Sequence, residues 1–221
     1  MNLNCATFVL TSLKRAEVAG KRVLEAGSSS VNGSIRPFVE VYEPAEYIGV
    51  DISAGSGVDI VCDVNDIAAR FGEHSFDVII STELLEHVRD WRRAVHNMKA
   101  VCRPGGLIVI TTRSAYFPYH GHPYDFWRYE IDDMERIFSD CKIEKIEKED
   151  PGMGVFIRVR KPEHFIENDL AGYKLYSILA RKRIAELGEK YTKGPCFRWA
   201  MIKLGIRKFL NRAGEFIYFK L

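Results

Sequence analysis

Cysteine is scarce and unpatterned in this chain. Cys5, Cys62, Cys102, Cys141 and Cys196 are odd in number and never fall in a C-x-x-C spacing. Neither a zinc ribbon nor a disulfide framework is therefore expected, and reduced thiols suit a cytoplasmic protein. No run approaches the roughly 18 apolar residues that a spanning helix needs. The first residues also lack the basic-then-apolar layout of a secretion signal. Net charge is almost nil, +2 over 221 residues, which gives no reason to invoke nucleic acid as a whole-protein partner. The charge is nevertheless uneven: residues 163–221 carry 12 Lys and Arg against 6 Asp and Glu, leaving 20 against 24 in residues 1–162. The expected organisation is one α/β domain over 1–162 and a basic extension over 163–221.

The chain is organised around residues 21–33, KRVLEAGSSSVNG. A buried strand over 22–26 runs into a turn of small residues, Gly27, Ser28, Ser29 and Ser30, which lets the backbone pass close to a ligand. The dinucleotide fingerprint G-x-G-x-x-G is absent, since Gly27 and Gly33 are the only glycines there. Glu25 at the strand end repels a pyrophosphate and welcomes an ammonium group. A cofactor with a cationic amino-acid end fits better than one with a diphosphate middle, which disfavours a nicotinamide-dependent oxidoreductase.

Further along, helical spacing covers 5–19, a short helix is expected within 34–42, and apolar strands over 47–51 and 58–63 each end in an acid, Asp51 and Asp63. A helical turn at 67–71, a strand at 76–81 and an amphipathic helix at 91–102 follow. Arg103-Pro104-Gly105-Gly106 punctuates the chain before a strand at 107–112. A helix at 131–139 and strands at 143–147 and 155–160 complete the body. Alternating strands and helices predict a Rossmann-like, doubly wound seven-stranded sheet with a terminal antiparallel hairpin. Ligands of such sheets lie over the carboxyl ends of the strands, where Glu25, Asp51, Asp63 and Ser81 fall.

With those residues laid out, the chain resembles the class I S-adenosylmethionine-dependent methyltransferases, most closely the type 11 methyltransferase-like group. The resemblance spans about 22–161. V-L-E-A-G-S is similar to the first motif with Ser29 in place of the second glycine. Y-I-G-V-D matches the second-strand acid, F-D-V-I-I-S-T-E-L-L-E-H the fourth-strand motif and R-P-G-G-L the turn before the fifth strand. It implies S-adenosyl-L-methionine as cofactor. Gly27, Ser28, Ser29 and Glu25 would then lie against its methionine part, Asp51 and Ile52 at the ribose, Asp63 and Val64 at the adenine, and Ser81, Thr82 and Glu83 beneath the methionine moiety. A rival role for Asp63 is a helix N-cap. For His87 the expectation is structural, orienting the loop after the fourth strand.

Residues 113–130, RSAYFPYHGHPYDFWRYE, are too long and too aromatic to be only a connector. Methyl transfer from a sulfonium is an in-line displacement that depends on alignment and a dry site, which aromatic walls provide. If the acceptor is a hydroxyl, His120, His122 and Asp125 are the candidate bases. H-G-H is not a metal signature here, because no further ligand cluster accompanies it, and no metal is expected. In the extension, apolar spacing predicts helices over 170–187 and 197–210, the second basic and amphipathic. It suits a cap on the loop, a dimer contact or an anionic membrane surface. The resulting expectation is an enzyme methylating an oxygen of a small-molecule or sugar-like acceptor. The alternatives are a non-catalytic cofactor-binding module and an RNA methyltransferase, though the N/D-P-P-Y/F sequence associated with base amino groups is missing.

Overall fold

Alternation within single strands sets the layers. In β1 (Arg22–Ala26) Val23 turns to one face of a sheet and Leu24 to the other, and both are fully buried. The structure is a computed structural model that describes residues 2–121, 124–150, 152–191 and 193. The chain continues through β2 (Glu46–Asp51), β3 (Ile60–Val61), β4 (Phe76–Thr82) and β5 (Cys102–Arg113). Then come the short β6 (Trp127–Arg128), β7 (Lys142–Lys148) and β8 (Gly154–Arg160). Seven strands form one sheet in the order β3-β2-β1-β4-β5-β8-β7. The first five are parallel, and β8 runs antiparallel between β5 and β7. This is the expected doubly wound sheet with its terminal hairpin. Strand order reverses between β1 and β4, so the crevice for a ligand opens at their carboxyl ends.

Helices cover both faces, as parallel strands require. On one face α1 (Leu3–Ser12), α2 (Arg15–Val18) and α3 (Arg36–Glu40) place Phe8, Val9, Val18 and Val39 on Val23, Val78, Ile80 and Val109. On the other, α4 (Ile67–Phe71), α5 (Trp91–Val101) and α6 (Ile131–Ile137) bury Ile67, Trp91, Met98 and Met134 against Leu24, Ile79 and Ile108. Asp90 caps α5 by accepting from the Arg93 amide at 3.3 Å. The single helix expected over 5–19 is two, because Leu13 and Lys14 are extended. Glu17 fixes that break: its carboxylate accepts from the Lys14 amide at 3.1 Å and pairs with Arg158 and Arg160 at 2.6 and 2.7 Å.

The extension departs most from expectation. Residues 170–187 are not a helix. They hold β9 (Leu175–Ser177) and β10 (Lys182–Ile184), which pair antiparallel and extend β6 into a second, three-stranded sheet. Arg92 of α5 supplies the reason. Its guanidinium donates to the carbonyls of Leu170, Tyr173 and Ala185, drawing acceptors away from helical pairing. Gly172 and Arg181 take positive φ, +73° and +54°, where a helix cannot continue. Leu170, Leu175 and Leu187 enter the α5-side core, so residues 163–191 are built onto the body. The helix expected over 197–210 lies outside the described residues. No described helix is long and apolar enough to cross a membrane.

Leu175 is fully buried, so Leu175→Ala is expected to cost about 2–5 kcal/mol in urea unfolding. An unchanged midpoint would place the β9–β10 segment outside the core.

Candidate functional site

A cavity of about 1010 Å³ opens over the carboxyl ends of β1, β2 and β4. Its floor is the turn after β1. Gly27 takes φ +81°, and a Cβ there would stand 3.0 Å from the Leu84 Cβ, so only glycine keeps this approach open. The Gly27 and Ser28 amides both donate to the Val50 carbonyl, at 2.9 and 3.0 Å, which ties the turn to β2. The Ser28 hydroxyl is buried with no hydrogen-bond partner among the described residues. Ser29 lines the cavity, and its amide donates to Asp51 Oδ2 at 3.2 Å.

The three strand-end acids meet in this cavity, each held differently. Glu25 is buried and accepts from the Tyr47 hydroxyl at 2.7 Å. Burial pushes its carboxyl up to about 7, with the Tyr47 hydrogen bond and the Arg36 charge only partly opposing. Asp51 sits half-buried at the end of β2, its Oδ1 also accepting from the Ser53 amide at 3.4 Å. Asp63 caps the 3-10 turn Val64–Asp66 through Oδ1, which accepts from the Asn65 amide at 2.8 Å. The cap occupies one of its two oxygens and leaves Asp63 in the cavity wall beside Val64. Ile52 is exposed at the rim, while Thr82 and Glu83 close the inner wall. Ser81 stands behind that wall, fully buried, with its hydroxyl unpartnered among the described residues. Glu83 takes φ +53° and pairs with Arg113, which also donates to Glu149 at 2.8 Å and stacks on Phe117 at 4.2 Å.

The aromatic loop forms the opposite wall. Phe117, His120, Tyr124 and Phe126 line it, with Lys193 of the extension at its mouth. Its candidate bases differ in kind. Asp125 is fully buried and takes two Arg128 nitrogens at 2.5 and 2.7 Å, the His120 amide at 3.0 Å and His120 Nδ1 at 2.9 Å. Burial opposes its ionisation, but these hydrogen bonds prevail and hold the carboxyl at about 2. A carboxylate so saturated anchors the loop; it is not the base proposed from sequence. Burial likewise works against a proton on His120, and Asp125 and Glu86 outweigh it, raising the imidazole to about 9. His122 lies outside the described residues.

Two residues at this wall carried no chemical role in the sequence reading. Glu86 is fully buried in the 3-10 turn Leu85–His87, with Oε2 accepting from the Thr112 hydroxyl at 2.9 Å. His87 faces the cavity, and its Nδ1 pairs with the Tyr124 carbonyl at 2.5 Å. The sequence signal is the Glu-His pair that ends the fourth-strand motif; His87 reads there as structural, with a place facing the site as its alternative, and Glu86 carries no role.

The profile of a family described as methyltransferase domain matches residues 3–143. A ubiquinone biosynthesis O-methyltransferase of Parvibaculum lavamentivorans is 40% identical over 58 residues, 26% of this chain and 22% of that protein. Another, of Chromobacterium violaceum, is 28% identical over 113 residues, 45% of this chain and 47% of that one. The chain thus spans less than half the length of these curated relatives. Among solved structures, a Burkholderia thailandensis 1,6-didemethyltoxoflavin-N1-methyltransferase with bound S-adenosylhomocysteine superposes with a TM-score of 0.58 at 14% identity, covering 72% of this chain and 79% of that one. An S-adenosylmethionine-dependent methyltransferase of Mesorhizobium loti gives 0.56 at 16%, covering 71% and 98%. The chain belongs to the methyltransferase domain family, and its fold is that of the class I S-adenosylmethionine-dependent enzymes.

The cavity fits that cofactor. A glycine-floored turn, the unpartnered Ser28 hydroxyl and acids at three successive strand ends provide close approach and acceptors, with no lysine or arginine among these floor and strand-end residues. Glu25 must ionise to face an ammonium group. With its carboxyl near 7, affinity for S-adenosylhomocysteine is expected to rise roughly tenfold from pH 6 to pH 8. Glu25→Gln should flatten that profile in calorimetric titrations. The sign for stability is opposite: a carboxyl raised from 4.5 to about 7 by folding loses stability as pH climbs through that window. The cofactor-free Glu25→Gln protein should therefore lose less stability than wild type on going from pH 5 to pH 8.

Proposed function

We propose that this chain transfers a methyl group from S-adenosylmethionine to an oxygen of a small-molecule or sugar-like acceptor. One observation carries the reading: a single cavity joins the three strand-end acids to a wall of aromatic rings and histidine. The cofactor supplies a methyl group on a positively charged sulfur. Glu25 and the turn at Gly27 would hold its amino-acid end, and Asp51, with two oxygens on one carboxylate, suits the vicinal ribose hydroxyls. Asp63 and Val64 would receive the adenine. Phe117, Tyr124 and Phe126 line the far side with apolar surface, which favours a dry reacting centre. An acceptor entering past them meets His120, whose orientation Asp125 fixes. Two curated relatives being O-methyltransferases supports oxygen as the acceptor atom.

Calorimetric titration with S-adenosylhomocysteine, beside NADH, tests the cofactor half. The wild type is expected to bind the thioether with micromolar affinity, and Asp51→Ala to weaken it tenfold or more, about 1.4 kcal/mol. Binding of NADH instead would overturn the assignment. A screen of hydroxylated acceptors with labelled S-adenosylmethionine tests the other half; label appearing only on nitrogen would refute oxygen transfer.

A further inference from the structure

The geometry points to a divalent-cation site in the acceptor wall, made by Glu86, His87 and His120, where a first-row metal ion would bind and activate the acceptor hydroxyl. One donor atom from each of the three lies within 4.8 Å of the others. His120 is 33 positions from His87 in sequence, and the fold alone brings them together.

Three observations favour a metal over a mere cluster. First, Glu86 Oε1 is fully buried and has no hydrogen-bond partner among the described residues, a costly state for a carboxylate oxygen. It stands 3.7 Å from His120 Nε2, an ion-pair distance too long for a hydrogen bond. Bonds of about 2.0–2.2 Å in tetrahedral geometry set neighbouring ligand atoms roughly 3.4 Å apart, close to that spacing. Second, both imidazoles are already oriented as ligands. His120 Nδ1 pairs with Asp125 at 2.9 Å and His87 Nδ1 with the Tyr124 carbonyl at 2.5 Å. Each Nδ1 thus donates its proton outward, which leaves Nε2 as the ring atom that a metal would take once it is deprotonated, the second-layer arrangement of metal-bound histidine. Third, Thr112 holds the other Glu86 oxygen at 2.9 Å, so the free Oε1 stays aimed at the histidines. Two imidazoles and one carboxylate suit zinc, manganese or cobalt, and three protein ligands leave a position open. His87 and His120 both face the cavity, so the open position is on the acceptor side.

The inference rests on the methyl-transfer reading for its chemistry. A bound divalent ion would stabilise an acceptor hydroxyl as its alkoxide, and the proton would leave to solvent at the mouth of the cavity. The alkoxide's electron pair then forms the O–CH₃ bond as the S–CH₃ bond breaks. The sulfur keeps that pair and becomes a neutral thioether.

The test uses the full chain freed of metal by chelation. Equilibrium dialysis against Zn²⁺ or Mn²⁺, with elemental quantification, is expected to show one tight equivalent per chain. Co²⁺ is expected to give the visible d–d bands of a four- or five-coordinate site. His87→Ala and His120→Ala should weaken binding at least tenfold and abolish the bands, with circular dichroism confirming that each variant folds. No saturable binding of any of these ions, or binding and bands untouched by both variants, would overturn the site. S-adenosylhomocysteine titrated into the same samples separates the two readings. Metal bound without the thioether would leave the site standing and remove its methyl-transfer role. The thioether bound without metal would leave the cofactor assignment standing and overturn the site.

Discussion

A single buried carboxylate governs the acceptor side of this molecule. Asp125 lies out of solvent between Arg128 and His120, and four hydrogen bonds from those two residues converge on its two oxygens. Removing one partner of such a pair strands a buried charge at about 3–5 kcal/mol, so the loop has little freedom to open at this point. The consequence is geometric. Arg128 also donates to the Phe117 and Pro118 carbonyls, which ties the start of the loop to the same guanidinium that holds the carboxylate. His120 is thereby aimed at the cavity and held there. An aromatic loop without this anchor would be a mobile flap; with it, the loop is a wall.

That wall is fastened to the cofactor half through one short turn. The Phe126 amide donates to the Glu86 carbonyl at 2.7 Å, the Tyr129 hydroxyl to the Leu85 carbonyl at 3.2 Å, and His87 Nδ1 meets the Tyr124 carbonyl. Two residues, Glu83 and Leu84, separate β4 from the turn Leu85–His87, and both line the cavity. Displacement of the acceptor wall is therefore transmitted to the strand end that faces the reacting centre. An in-line displacement is sensitive to alignment, and this coupling would hold both reactants against one reference, the end of β4.

The cofactor half was legible in the chain before any coordinates. Val23 and Leu24 of β1 and Val78, Ile79 and Ile80 of β4 are successive apolar residues because both sheet faces are covered, and the acids and small residues that follow fall where such sheets bind ligands. The acceptor half was only partly legible, for physical reasons. Residues 170–187 have apolar spacing that a helix also satisfies, and what decides against it is Arg92, some 80 positions away, capturing their carbonyls. The grouping of Glu86 and His87 with His120 is likewise a product of tertiary packing. Asp125 was different: Arg128 three residues later was a visible warning that the carboxylate had a partner and would serve as an anchor.

The charge distribution assigns the two halves complementary tasks. S-adenosylmethionine brings a sulfonium and an ammonium, and the floor that would receive it offers Glu25, Asp51 and Asp63. Once the methyl group leaves, the sulfonium charge is gone, and the attraction that those acids exerted on it goes too. The same acids that favour loading therefore weaken their hold on the product, at the ammonium end retaining only the Glu25 contact. Glu25 itself sits near its own titration midpoint because burial penalises its charge. A cation entering the site recovers that penalty by pairing with it. A strand-end acid buried to this degree is thus poorly accommodated in the free protein and well accommodated in the complex. That difference in free energy between the two states is what would make Glu25 a binding residue, where an exposed acid in water would contribute little.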